Sequence, residues 1–299
     1  MSKGNSYWST ARGKIGDIVV SINKGQRIER AYQPVVNNPK TDAQMTQRAI
    51  FAGAVKFYKH AQQAFFKFAF EDKKQTESDY NAFMRHNRGV AMIASRSQYN
   101  DNNYPAIGNR FMLTSGSLSE FEMSDDPDNL MIRCGVPSSI TENVTDPTVA
   151  QITECIKISN ADLQDGDIIT VVRVKSNIQD ITDEPTTAPK WTVIQFLLDS
   201  TSTKKMSEVG FSNAEIQVPS SKDYADILFF ETDTDHLDAL GVVASRKTET
   251  GLLVNDTYLY LNDLGTTIYN DSLLDSFRAQ ALTSWGATGE AILEGSLVQ

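Results

Sequence analysis

From residue 14 to residue 31 the chain alternates with period two. Ile18, Val20 and Ile22 are interleaved with Asp17, Val19 and Ser21, and the return segment Arg27–Tyr32 alternates charged with apolar side chains. Between them, Asn23-Lys24-Gly25-Gln26 has the chemistry of a tight turn, with Gly25 free to take positive φ. The pattern predicts a β-hairpin. A two-stranded ribbon is marginal in water, so a partner surface is expected beside it.

The period then changes to that of a helix. Thr41-x-x-Gln44 reads as a capping box, and Phe51, Ala54, Val55, Tyr58, Ala61, Phe65 and Phe66 predict an apolar face on a helix reaching about Phe70. Thr76-x-x-Asp79 reads as a second box, opening a helix from about Glu77 to Ser95. A short link between the two predicts an antiparallel pair.

Asn100–Pro105 is dense in turn formers. Beyond about residue 116, short β-branched runs recur: 130–136, 151–158, 167–175, 190–198, 215–218, 224–231, 241–245 and 257–262. This spacing predicts an antiparallel sandwich, Ig-like in general shape, with Ser176–Lys190 as a projecting hairpin loop. Asp271–Trp285 returns to helical spacing. The expected fold class is α+β. An N-terminal β-hairpin with two antiparallel helices fills 1–115, and an Ig-like antiparallel β-sandwich with a C-terminal helix fills 116–299.

Charge sharpens this division. The 299 residues carry a net charge of −10. Residues 1–100 hold 16 Lys+Arg against 7 Asp+Glu, a net of +9, and the remainder is −19. Such asymmetry points to two modules with different surroundings. No apolar run is long enough to span a bilayer, and Met1–Trp8 lacks the apolar core of an export signal. A cytoplasmic assembly site is therefore expected, with Cys134 and Cys155 as buried thiols on strands rather than a disulfide.

Motifs for chemistry are absent. There is no G-x-S-x-G elbow, no P-loop, no G-x-G-x-x-G, no H-E-x-x-H and no C-x-x-C pair. His60, His86 and His236 read as surface groups. Asp233, Asp235 and Asp238 could gather oxygen ligands, but an EF-hand's Gly and Glu are missing, and a solvated acidic turn is the plainer reading. No cofactor, no metal and no enzymatic activity are expected. Lys24, Arg27, Arg30 and Tyr32 on the ribbon are the candidate subunit-interface residues; a basic ribbon with aromatics also suits nucleic acid.

Some segments also resemble a known family. Gly13-Lys-Ile-Gly16-Asp-Ile-Val-Val20, Asn38-Pro-Lys-Thr-Asp-Ala-Gln44, Tyr80-Asn81 and Thr114-Ser-Gly-Ser-Leu118 are similar to uncharacterised proteins of Bacteroidota and their phages, including crAss-like phages. The resemblance covers about the first 120 residues. It implies a virion structural protein, a homo-oligomeric ring of the tail or head–tail connector, assembled in the host cytoplasm. Its implied partners are further copies of itself, the portal or adjacent tail rings, and the genomic DNA passing nearby, with no membrane. It carries over no catalytic residue. Two other readings stay open: an Ig-like surface or fibre binding module, and a DNA-packaging or nucleic-acid-binding protein.

Overall fold

The structure, a computed structural model, describes residues 13–23, 26–35, 41–88, 90, 110–124, 126, 129–176, 189–221, 223–249 and 251–262. The chain divides into two compact units, Met1–Lys40 and Thr41–Gln299.

The first unit is a meander of β1 (Gly13–Ile15), β2 (Ile18–Asn23) and β3 (Gln26–Ala31). All neighbours are antiparallel, so the ribbon has three strands rather than the expected two. Gly16, at φ 59°, supplies the positive φ that the two-residue turn between β1 and β2 requires.

The second unit begins α1 (Asp42–Gln63), β4 (Ala69–Phe70), α2 (Asp79–His86), β5 (Met112–Ser115), β6 (Glu122–Met123) and β7 (Met131–Cys134). It continues β8 (Val144–Thr145), α3 (Val149–Ser159), β9 (Ile168–Lys175), β10 (Lys190–Leu197), α4 (Met206–Val209), β11 (Glu215–Gln217) and β12 (Ala225–Leu228). It closes with β13 (Asp238–Lys247), β14 (Leu252–Val254), β15 (Thr257–Tyr258) and β16 (Tyr260–Leu261). The class is α+β, dominated by antiparallel sheets. The central sheet runs β10-β9-β13-β14, with β16 also on β13. A second sheet runs β6-β7-β12-β11-β8, and a small one runs β15-β5-β4.

Both faces of the central sheet are covered. Val172, Val174, Ala239 and Val243 share one core with Phe57 and Tyr58 of α1, Phe83 of α2 and Phe111. Ile169, Val171, Phe196, Leu240, Val242 and Ala244 point the other way. They share a second core with Ile152 and Ile156 of α3 and with Ile132, Ile216 and Ile227 of the second sheet. This explains why Ile168–Val174 is nearly continuous in apolar residues instead of alternating. The expected boundary at 115/116 therefore runs through a single core. The helices of 42–86 cover strands that come more than eighty residues later, and the break between units falls at 40/41.

Two ion pairs sit at opposite ends of the β9–β13 pairing, on the face of the second core. Arg173 on β9 reaches Asp238 on β13 through Nε at 3.1 Å and Nη2 at 2.6 Å. Arg246 on β13 reaches Asp167 through Nε at 2.7 Å and Nη2 at 2.6 Å. Both aspartates are 1% exposed. Their Arg partners supply forked, charge-assisted donors, which a carboxylate withdrawn from water requires.

Several local expectations are corrected. Residues 149–159, expected as a strand from 151 to 158, form α3. Thr148 and Gln151 make a true capping box, in which Gln151 N–H donates to Thr148 Oγ1 at 3.3 Å and Thr148 N–H donates to Gln151 Oε1 at 2.9 Å. The buried Val149, Ile152, Thr153, Cys155 and Ile156 follow helical spacing. Thr41 caps α1 without a side-chain hydrogen bond. The N-cap of α2 is Ser78, not Thr76, and its oxygen accepts from Asn81 N–H.

α1 stops at Gln63 instead of about Phe70. Phe65 takes φ 62°, and Phe66 N–H returns to the Ala61 carbonyl in a Schellman closure with Phe where Gly is usual. Phe51 and Phe65, expected in the core, are exposed, and Phe57 takes the central place. Both cysteines are free and buried, with Cys155 on α3 rather than on a strand. Burial pushes both thiols up, Cys155 to about 12. Lys24, Gly25, 91–109, the 177–188 loop and the C-terminal helix 271–285 lie outside the described residues.

The Thr114–Leu118 motif gains a physical reason. A Cβ on Gly116 would lie 2.2 Å from the Val254 carbonyl oxygen and 2.3 Å from Glu71 Oε1. That Glu71 oxygen accepts from Val254 N–H at 2.7 Å and Ser117 N–H at 3.1 Å, joining β4, β5 and β14. Asn87, 1% exposed, adds a second link by pairing with both backbone groups of Met112.

The ion pairs at the ends of the central sheet give a direct test. Asp238→Ala leaves the Arg173 guanidinium without its carboxylate in a desolvated site, and the expected loss is about 3–5 kcal/mol. Arg30→Ala, on an exposed strand, is expected to stay within about 0.5 kcal/mol. Urea unfolding monitored by tryptophan fluorescence measures both.

Candidate functional site

The ribbon carries the expected interface residues, and its register sorts them onto two faces. Opposed residues in antiparallel pairs share a face. Val19 opposes Arg30 and Lys14, and Ser21 opposes Ile28. Tyr32 continues that face, with the Lys14 ammonium 3.5 Å above its ring centroid, a cation–π contact. The opposite face bears Ile18, Val20, Ile22 and Ala31, with Arg27 Nη2 2.6 Å from Glu29 Oε1. Arg30 and Tyr32 therefore act together with Lys14, whereas Arg27 looks the other way and is held by an acid on its own strand. Lys24 lies outside the described residues.

Every residue of β3 is exposed. Ile18, Ile28 and Tyr32 are 46%, 45% and 41% exposed. Among the described residues no strand pairs with the outer edge of β3. The ribbon thus presents a basic and aromatic face and an open row of backbone groups, whereas on its aliphatic face Ile18 is exposed but Val20 is buried, at 3%. Residues 1–40 hold 7 Lys+Arg against 2 Asp+Glu, a net of +5, and residues 41–299 carry −15.

The acidic turn at 231–238 is a different kind of site. Asp238 is taken up by Arg173 and also accepts from Asp233 N–H at 3.1 Å. Asp233 pairs with Lys175 and with His236 Nδ1 at 3.0 Å, and its Oδ1 accepts from the backbone N–H groups of Asp235 and His236. Burial raises the Asp233 carboxyl, but Lys175 and His236 outweigh it and hold the group down at about 2. The Asp233 and Asp238 carboxylates are therefore tied to cations and to the backbone, and Asp235 joins them through its N–H. Among the described residues no group of three His, Cys, Asp or Glu side chains is placed to hold a metal. Beside the turn lies an open polar cleft of about 470 Å³, bordered by Arg173, Lys175, Asn213 and Asp235.

The histidines do not share a site. His60 is half-buried on α1, where burial and the Lys56 charge hold it low. His86 stacks on Phe70 at 4.6 Å and reaches Asp72 at 2.9 Å. Asp72 also receives Arg85 at 2.6 Å, and the Arg85 hydrogen bond is the main reason its carboxyl falls to about 2.

Residues 10–132 match a family of unknown function, DUF6266. No curated protein and no solved structure matches the chain. The matched stretch takes in the ribbon, both N-terminal helices and the start of β7, and it ends before the central strands. Among the described residues no helix is long and apolar enough to cross a membrane.

Sequence reasoning had found the acidic turn and the ribbon but had missed Arg173, Lys175 and Arg246, the cations that neutralise buried or partly buried aspartates. Arg173 lies 65 residues from Asp238 and Arg246 lies 79 from Asp167, so no local signal exists.

A pH dependence follows from the two depressed carboxyls. Asp72 and Asp233 sit at about 2 in the folded chain against an ordinary 3.8. Their contribution is complete above about pH 4 and is lost as pH falls towards 2. Melting temperatures should therefore drop through that window. Asp72→Asn/Asp233→Asn should melt lower at neutral pH and show a flatter acid limb.

Proposed function

We propose that the chain is a structural protein of a bacteriophage virion, a homo-oligomeric ring of the tail or head–tail connector through which DNA passes. The observation that carries this reading is the exposed ribbon, a +5 unit whose edge strand β3 has no residue shielded from solvent. Open strand edges and aliphatic faces are stabilised by pairing with another chain. A ring repeats one heterologous contact, so each subunit needs two unlike faces. A basic ribbon and an acidic body at −15 supply such a pair. In this reading the ribbon of one subunit docks on the acidic body of its neighbour, and portal or adjacent tail rings meet the outer surfaces.

A second reading is an Ig-like surface or fibre binding module. The two antiparallel sheets that share the Phe196, Phe211 and Phe229 core support it, as does the polar cleft of about 470 Å³ beside the 231–238 turn.

Native mass spectrometry of the full chain separates the two. The ring reading expects a closed oligomer, dispersed by Arg27→Glu/Arg30→Glu, which places a reversed charge on each face of the ribbon. A wild-type chain that stays monomeric, or an oligomer that survives the double reversal at low salt, would overturn it.

A further inference from the structure

Helix α1 differs from the body that carries it. The unit Thr41–Gln299 is strongly acidic, yet no Asp or Glu occurs between Asp42 and Glu71. Over the same stretch stand Arg48, Lys56, Lys59, His60 and Lys67. The inner face of α1 is occupied by Ala54, Phe57, Tyr58 and Ala61, which belong to the first core. The cations are consequently turned outwards. Arg48 and Lys59 are exposed and Lys56 is half-buried. At 3.6 residues per turn these three fall within about 80° of arc, along about 16 Å of helix. Phe51, 54% exposed, stands at the margin of the same face. Lys56, three residues before Lys59 on the helix, is held below its ordinary value first by partial burial and then by the Lys59 charge, so these two cations repel each other.

Like charges set along a helix destabilise it. They lose that penalty when a polyanion lies along them. A row of cations, two of the three lysine point charges, neutralises successive phosphates without demanding one register, as contact with a backbone of evenly spaced charges requires. We infer that the outer face of α1, through Arg48, Lys56 and Lys59, binds the phosphate backbone of nucleic acid without reading sequence. This deepens the ring reading, because it names the surface that would meet the passing DNA, and it places that surface on the body rather than on the ribbon.

The test is fluorescence anisotropy of a labelled random-sequence duplex with the full chain, from about 50 to about 200 mM salt. Three phosphate contacts predict a log–log slope of about −2.7 and about 40-fold weaker binding across that range. Arg48→Glu/Lys59→Glu changes two exposed positions and should weaken binding at least about ten-fold and reduce the slope to about −0.9 or less. Lys190→Glu/Lys247→Glu makes the same charge change on exposed strand ends and should bind as wild type. Absence of binding at the lowest salt, or equal loss in both variants, would overturn the inference. So would salt-dependent self-association, without DNA binding, that disappears in Arg48→Glu/Lys59→Glu, which would assign the face to an acidic protein surface. Native mass spectra of the same samples keep the two readings apart: DNA binding by a monomer counts against the ring alone, and a ring without DNA binding counts against this face alone.

Discussion

The pairing of β9 with β13 is the constraint on which the rest of the large unit depends. Eight residue pairs, from Asp238 with Lys175 to Ser245 with Ile168, run down the middle of the central sheet. The Arg173–Asp238 and Arg246–Asp167 pairs close its two ends. A slip of β9 by one residue would turn its own side chains to the opposite face. It would drive one carboxylate, Asp167, and one guanidinium, Arg173, towards the aromatic core around Phe57, away from Arg246 and Asp238, and expel Ile169 and Val171 from the other core. The ion pairs therefore specify register more than they add stability, since an apolar pair of the same volume could hold the strands as well.

Because that sheet is buried on both sides, elements distant in sequence become its two covers. α1 and α2 close one face, and α3 with the second sheet closes the other. Beside the buried aspartates, two asparagines inside supply partners to backbone groups. Asn87 satisfies Met112, and Asn255 accepts from Ala244 N–H at 2.8 Å while its own backbone pairs with Ala244 and Thr114. Asn87 closes helix α2 and Asn255 follows β14, and each amide side chain pairs with backbone groups that no neighbouring strand reaches.

The ribbon obeys the opposite logic. Its three strands place aliphatic and basic groups on a sheet whose edge strand is wholly exposed, and the charge of the chain divides at the same place as its compact units, +5 before residue 41 and −15 after it. Within the acidic body, α1 remains free of acids along its whole central length. Positive charge is thus gathered at two places in an acidic chain, in the ribbon and along one helix of the larger unit.

Local periodicity was enough to place β9, β10, β7 and β11 within a residue or two, to find β12 three residues too long at its end, to start α1 at Asp42, and to find the turn chemistry of the ribbon. Spacing reports which residues seek burial, and that is a local property. It took Gln151–Ile158 for a strand because that run is apolar and β-branched, although Thr148-x-x-Gln151 is a capping-box pattern as local as Thr41-x-x-Gln44 and marks the start of α3. It placed the domain break at 115/116 because the charge and texture change there, whereas the break at 40/41 depends on which core the helices enter. It read Asp233 and Asp238 as a shared acidic turn, because Arg173 and Lys175 come from a strand about sixty residues earlier. The chain by itself determined the elements and the distribution of charge. Only the tertiary structure decided what covers each apolar face and which cation meets each buried carboxylate, since both are contacts between residues that chain order holds apart.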